Sequence, residues 1–141
     1  MSRITARLSL VLLLTATLTA LLCPATPSRA EEKTASLTIN RLIVCSGVEN
    51  HEPVDNVSTF PAGTEMAYAF LEATNITRDV EVSFVWLHDG NEVARVILPI
   101  RQGSRWRTYS SKKLAGLSGA WRVEVQDSNS TVLAATDFTL E

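Results

Sequence analysis

The chain has few of the residues and patterns that usually announce a role. Its 141 residues include two cysteines, six glycines and five prolines, and its 13 basic side chains are outnumbered by 15 acidic ones. Two cysteines cannot build a cystine scaffold. Without a basic surplus the chain lacks the charge that proteins gripping phosphate backbones generally carry, so no nucleic acid is expected as a partner. There is no internal repeat, no low-complexity tract and no stretch with a convincing helical period. The one long uncharged apolar run lies at the N-terminus.

That run, Leu8 to Cys23, follows the short basic segment MSRITAR and leads into Ser28-Arg29-Ala30. It is shorter than the roughly 18 to 20 residues that cross a bilayer comfortably. Small residues also stand at the two positions a signal peptidase reads. Residues 1–30 are therefore expected to be a signal peptide cut after Ala30, placing residues 31–141 in the periplasm or outside the cell. The alternative is an uncleaved anchor through residues 8–23, which would be the chain's only route to a membrane. Lipid attachment at Cys23 is disfavoured because Leu22 stands where that processing needs a small side chain. Cleavage leaves 111 residues, enough for one domain with one core. Arg3, Arg7 and Arg29 leave with the segment, so ten basic residues then face fifteen acidic ones, a net charge of −5. Cys45 alone remains of the cysteines, so stability must come from apolar burial, and Cys45 itself is expected to be a buried small hydrophobe.

Beyond the signal segment a two-residue period dominates, punctuated by turn residues at short intervals, as in an all-β chain. Strands are predicted over Ser36 to Val48, Thr64 to Ala73, Asp79 to His88, Glu92 to Ile100, Arg105 to Ser110, Ala120 to Gln126 and Thr131 to Leu140. In the first, the run Leu42-Ile43-Val44 predicts a bulge or burial on both faces. In the second, Met66, Tyr68 and Phe70 share a side, and in the third Val80, Val82, Phe84, Trp86 and His88 do. Asp89-Gly90-Asn91 supplies the positive φ angles of a tight hairpin. Pro53 is expected to forbid regular pairing in the polar segment ENHEPVDNVST. Seven one-sided strands are best buried as two packed antiparallel sheets, an immunoglobulin-like β-sandwich. Trp86, Trp121 and Trp106 stand on separate strands, as core keystones would, each able to bury on the order of 200 Å².

The motifs VENHEPVD (Val48 to Asp55), FVWLHDGNEV (Phe84 to Val93), RWRTYSSKKL (Arg105 to Leu114), GAWRVEVQD (Gly119 to Asp127) and the closing VLAATDFTL, in that order and spacing, resemble the DUF2914 domains. These are bacterial domains of unknown function, often exported or membrane-associated. The resemblance implies a β-sandwich and no established activity.

No catalytic constellation stands out, and no cofactor is expected. His51, Glu52, Asp55 and His88 would be the acid/base or metal-binding groups of a small hydrolase, but their spacing fits no standard zinc or calcium loop. The simpler reading makes Glu52 and Asp55 acceptors for loop amides around Pro53, ordering a crossover between sheets. In RWRTYSSKKL, alternation puts Arg105, Arg107 and Tyr109 on one side and Trp106, Thr108 and Ser110 on the other. The tryptophan then belongs to the fold, with the arginines free to pair with acidic neighbours such as Glu124. The exposed basic and aromatic residues, Arg101, Arg105, Arg107, Tyr109, Lys112 and Lys113, form the candidate binding surface. The leading expectation is an envelope interaction module that binds a protein or polymer without catalysis. A metal-dependent or acid/base hydrolase and a structural spacer in an envelope assembly are the alternatives.

Overall fold

A computed structural model of the chain describes residues 36–141. The expected signal peptide and Cys23 lie outside the described residues. The strands are β1 (Thr38–Cys45), β2 (Val48–Glu49), β3 (Glu52–Pro53), β4 (Thr59–Phe60), β5 (Met66–Ile76), β6 (Val80–His88), β7 (Asn91–Ile100), β8 (Gly103–Lys113), β9 (Gly119–Gln126) and β10 (Val132–Leu140). The seven long ones are the seven predicted, and the described residues contain no helix.

They form a three-stranded sheet, β1-β5-β8, and a five-stranded sheet, β4-β10-β9-β6-β7, with β2 and β3 paired as a separate hairpin. All pairings are antiparallel except the short parallel contact of β4 with β10. This is the expected β-sandwich. Its core draws large side chains from the five-stranded sheet, among them Phe84, Trp86, Trp121 and Phe138, and small ones from β5, namely Ala67, Ala69 and Ala73 with Leu71. Large against small keeps the summed volume within the roughly 10 Å that separates packed sheets. Trp121 stacks on Phe138 at 5.8 Å, and Phe60 meets Phe138 edge-on at 5.5 Å. The Trp86 indole Nε1 donates to Ser110 Oγ at 3.2 Å, a buried hydrogen bond that ties the two layers together. Trp121 Nε1 donates to the Leu117 carbonyl at 2.8 Å. Trp86 and Trp121 are thus core keystones. Trp106 is only partly buried, and its Nε1 has no hydrogen-bond partner among the described residues.

Turn chemistry follows the sequence. Asp89 and Gly90 take φ angles of 47° and 81° between the paired residues His88 and Asn91. Asp127 Oδ1 accepts the amides of Asn129 and Thr131 at 2.8 and 2.9 Å, closing the β9–β10 turn. The β1 irregularity falls between Ile39 and Arg41 and gives β1 two useful faces. Leu42 and Val44 join the core opposite Leu71 and Ala69, whereas Ile43 and Cys45 pair with Phe70 and Tyr68 on the outer side.

Contrary to the expectation that it forbids regular pairing, Pro53 pairs opposite Val48 in the small β2–β3 hairpin. Proline is tolerated there because a two-residue ladder can leave its missing N–H on the unbonded side. Asn50 and His51, at φ 50° and 60°, make the two-residue turn that closes it.

Candidate functional site

The side of β5 carrying Met66, Tyr68 and Phe70 faces away from the sandwich core, because the alanine side is the one that fits beneath the large rings of the other sheet. Phe70 is nevertheless buried, under a cover assembled on the outer face of the three-stranded sheet. The Arg41 guanidinium carbon sits 5.1 Å from the Phe70 ring centre, within cation–π range. Cys45 is fully buried on the same side, and burial pushes its thiol pKa up. It is a small hydrophobe as expected, but outside the main core cluster.

Four charges organise this face. Arg41 Nη2 donates to Glu72 Oε2 at 3.1 Å and to Glu52 Oε2 at 3.0 Å. Arg107 Nε donates to the same Glu72 Oε2 at 3.1 Å, and Arg107 Nη1 lies 2.9 Å from Glu52 Oε1. Two guanidinium groups and two carboxylates therefore alternate in a closed ring, with strands β1, β5 and β8 each supplying one member and the β2–β3 hairpin the fourth. The hydrogen bond from Arg41 leads the effects that hold the Glu72 carboxyl below its ordinary range, and those to Glu72 and then Glu52 raise the Arg41 pKa. Asp55 fixes the hairpin stem, accepting the Ser46 amide at 2.8 Å and the Ser46 hydroxyl at 2.5 Å.

These contacts revise several expected roles. Asp55 accepts a loop amide as expected, from Ser46 rather than from a residue beside Pro53. Glu52 accepts from two arginines rather than from loop amides. Glu124 is not the partner of the β8 arginines. It lies on β9 in the other sheet and accepts from Arg122 Nε at 3.1 Å. His88, on β6, donates through Nε2 to the Ser118 carbonyl at 2.8 Å and packs 4.8 Å from the Trp121 ring. His51 is on the hairpin over the other sheet, so the four proposed hydrolase groups are not brought together. Among the described residues no group of three or more His, Cys, Asp or Glu side chains is placed to hold a metal ion.

The basic and aromatic candidates separate by position. Arg101 lies in the turn after β7 and pairs with Asp79 at 3.2 Å, off the β8 face. Lys112 falls on the other side of β8 and turns back to donate to the Lys113 carbonyl at 2.8 Å. Arg107 belongs to the charge ring. Arg105, Tyr109 and Lys113 remain in line, four residues apart on the outer face of β8, all exposed. Tyr109 is 49% exposed, and its ring lies 6.1 Å from that of Tyr68 on β5. At one end an open depression of about 440 Å³ is lined by His51, Arg105, Trp106 and Arg107. Arg41 and Glu72 were not among the residues singled out from the sequence. Their signal was present as an arginine at the bulge of an apolar strand and a glutamate two positions after a phenylalanine.

The family model described as "Protein of unknown function (DUF2914)" matches residues 79–140, from just before β6 to the end of β10. No curated protein matches the chain. Among solved structures, a β-glucosidase from Listeria innocua in complex with glucose is similar with a TM-score of 0.47 and 11% identity, the match covering 74% of this chain and 15% of the enzyme. A β-glucosidase from Kluyveromyces marxianus is similar with a TM-score of 0.44 and 11% identity, over 75% of this chain and 14% of the enzyme. Over residues 79–140, from the strand before the Asp89-Gly90 turn to the last strand, the chain is therefore similar to the DUF2914 family.

Proposed function

We propose that the chain is a non-catalytic binding module of the cell envelope, exported by removal of residues 1–30, that meets its partner on the outer face of the three-stranded sheet. One observation carries this reading. Arg105, Tyr109 and Lys113 are exposed in line on β8, while the neighbouring charges Arg41, Glu52, Glu72 and Arg107 neutralise one another. Cations without an acidic partner among the described residues, flanking a half-exposed tyrosine, offer a partner both charge and a flat apolar platform, whereas the carboxylates nearby are already held by arginines. Capture from envelope extract tests the reading. The wild-type domain is expected to retain a partner that Arg105→Ala combined with Tyr109→Ala loses. Arg107 is left intact because it holds the hairpin. A folded double variant that keeps every partner rules this face out.

A further inference from the structure

Among the described residues, the four edges of the two larger sheets differ in how they are protected. β4 is two residues long, β1 carries a bulge, and β7 contains Pro99 and an extra, unpaired residue at Val93. Short length, bulges and proline are the usual ways in which proteins prevent an edge from pairing with another chain. β8 has none of these. It runs 11 residues and keeps an unbroken register against β5 from Met66 opposite Lys113 to Thr74 opposite Arg105. It ends its sheet, so one side of its backbone has no strand partner among the described residues.

Charge is distributed unevenly around this edge. From Val93 to Val123 the chain has no acidic residue and seven basic ones. Four of these, Arg95, Arg101, Arg107 and Arg122, pair with acidic side chains from outside that stretch. The three without an acidic partner among the described residues, Arg105, Lys112 and Lys113, all lie on β8. Pairing of β8 with β8 of a second copy would set cations opposite cations, which opposes self-association.

We infer that β8 is an acceptor edge for an extended acidic peptide, which joins the sheet as a fourth strand beyond β8 and sets its carboxylates beside Arg105 and Lys113. This rests on the proposed β8 face and specifies what occupies it. Backbone hydrogen bonds along the edge supply affinity, and side chains at alternate positions supply selection. Arg105 and Lys113 are eight positions apart, an even number, so both reach the same side of the added strand, about 27 Å apart. Carboxylates directly opposite them approach to roughly 5 Å between Cβ atoms.

The test uses the folded domain and a short capped peptide alternating glutamate and threonine, followed by calorimetry and amide hydrogen exchange of β8. Two further peptides carry N-methyl groups on alternate amides, one on each parity. The unmodified peptide is expected to bind and to slow exchange at alternate β8 amides. Methylation of one parity should weaken binding by about tenfold or more, and methylation of the other should leave it nearly unchanged. Arg105→Ala with Lys113→Ala, confirmed folded by circular dichroism, should weaken binding and flatten its salt dependence. Equal binding by all three peptides overturns strand addition, as does self-association of the domain through β8. Binding of polygalacturonate but not of the peptide overturns the peptide inference and leaves the β8 face as a ligand surface. If no probe binds while Arg105→Ala with Tyr109→Ala still abolishes envelope capture, the inference falls and the face stands. If envelope capture also survives that double substitution, both fall.

Discussion

Replacing Glu72 by glutamine probes the ring of charges on the outer face with almost no change of shape. One carboxylate oxygen of Glu72 accepts from both Arg41 and Arg107, and the side chain is 13% exposed. The amide keeps the volume but removes the charge, leaving two guanidinium groups to share Glu52. Hydrogen bonds to charged groups contribute about 1.5–3 kcal/mol when well buried. The two arginines retain some contact with water, which lowers that figure. A loss of about 2 kcal/mol is expected for Glu72→Gln, a fall in melting temperature of about 10 °C for a domain of this size. Glu52 touches the same two arginines but is 45% exposed, so Glu52→Gln should cost no more than about 0.5 kcal/mol. Urea unfolding followed by tryptophan fluorescence measures both. The pH dependence gives a second test. The Glu72 pKa is depressed in the folded state, so its contribution is complete above the ordinary value of 4.5 and disappears as pH falls through the lower folded value. The gap between wild type and Glu72→Gln should therefore hold at neutral pH and close in acid. Equal costs for the two variants, or a gap that widens in acid, would refute the ring as the organiser of this face.

Ser110→Ala leaves the Trp86 indole N–H buried without an acceptor and should cost about 1–2 kcal/mol in urea unfolding, whereas Ser111→Ala on the exposed side of β8 should be close to neutral. Cys45, fully buried and with its thiol pKa raised by burial, should resist thiol reagents in the folded domain at neutral pH. Its labelling should follow opening of the structure above it and speed up in Glu72→Gln, as mass spectrometry against time can show.

The seven long strands were legible because each pairs a two-residue period with turn residues at both ends, as at Asp89-Gly90 and Asp127 to Ser130. The orientation of β5 was not. Alternation separates Met66, Tyr68 and Phe70 from Ala67, Ala69 and Ala73, but which set faces inward depends on the volumes supplied by the opposite sheet, where Trp86, Trp121 and Phe138 leave room for alanine. The β2–β3 hairpin was hidden for a similar reason. Its turn residues, Asn50 and His51, are ordinary in a loop, and Pro53 argues against a strand until the pairing is known to be two residues long. Partner choice was the least accessible from sequence. Arg107 could be placed on the outer face from alternation, yet Glu72 and Glu52 rather than Glu124 receive it because the sheet order puts β5 beside β8 and β9 in the other layer.

The location of the binding surface can be measured directly by placing a photo-crosslinking amino acid at Tyr109 on β8 or at Ile97 on β7, a 60% exposed position on the five-stranded sheet, and irradiating intact cells. A discrete adduct is expected from position 109 and none from position 97. Adducts from position 97 alone would contradict a binding surface on β8.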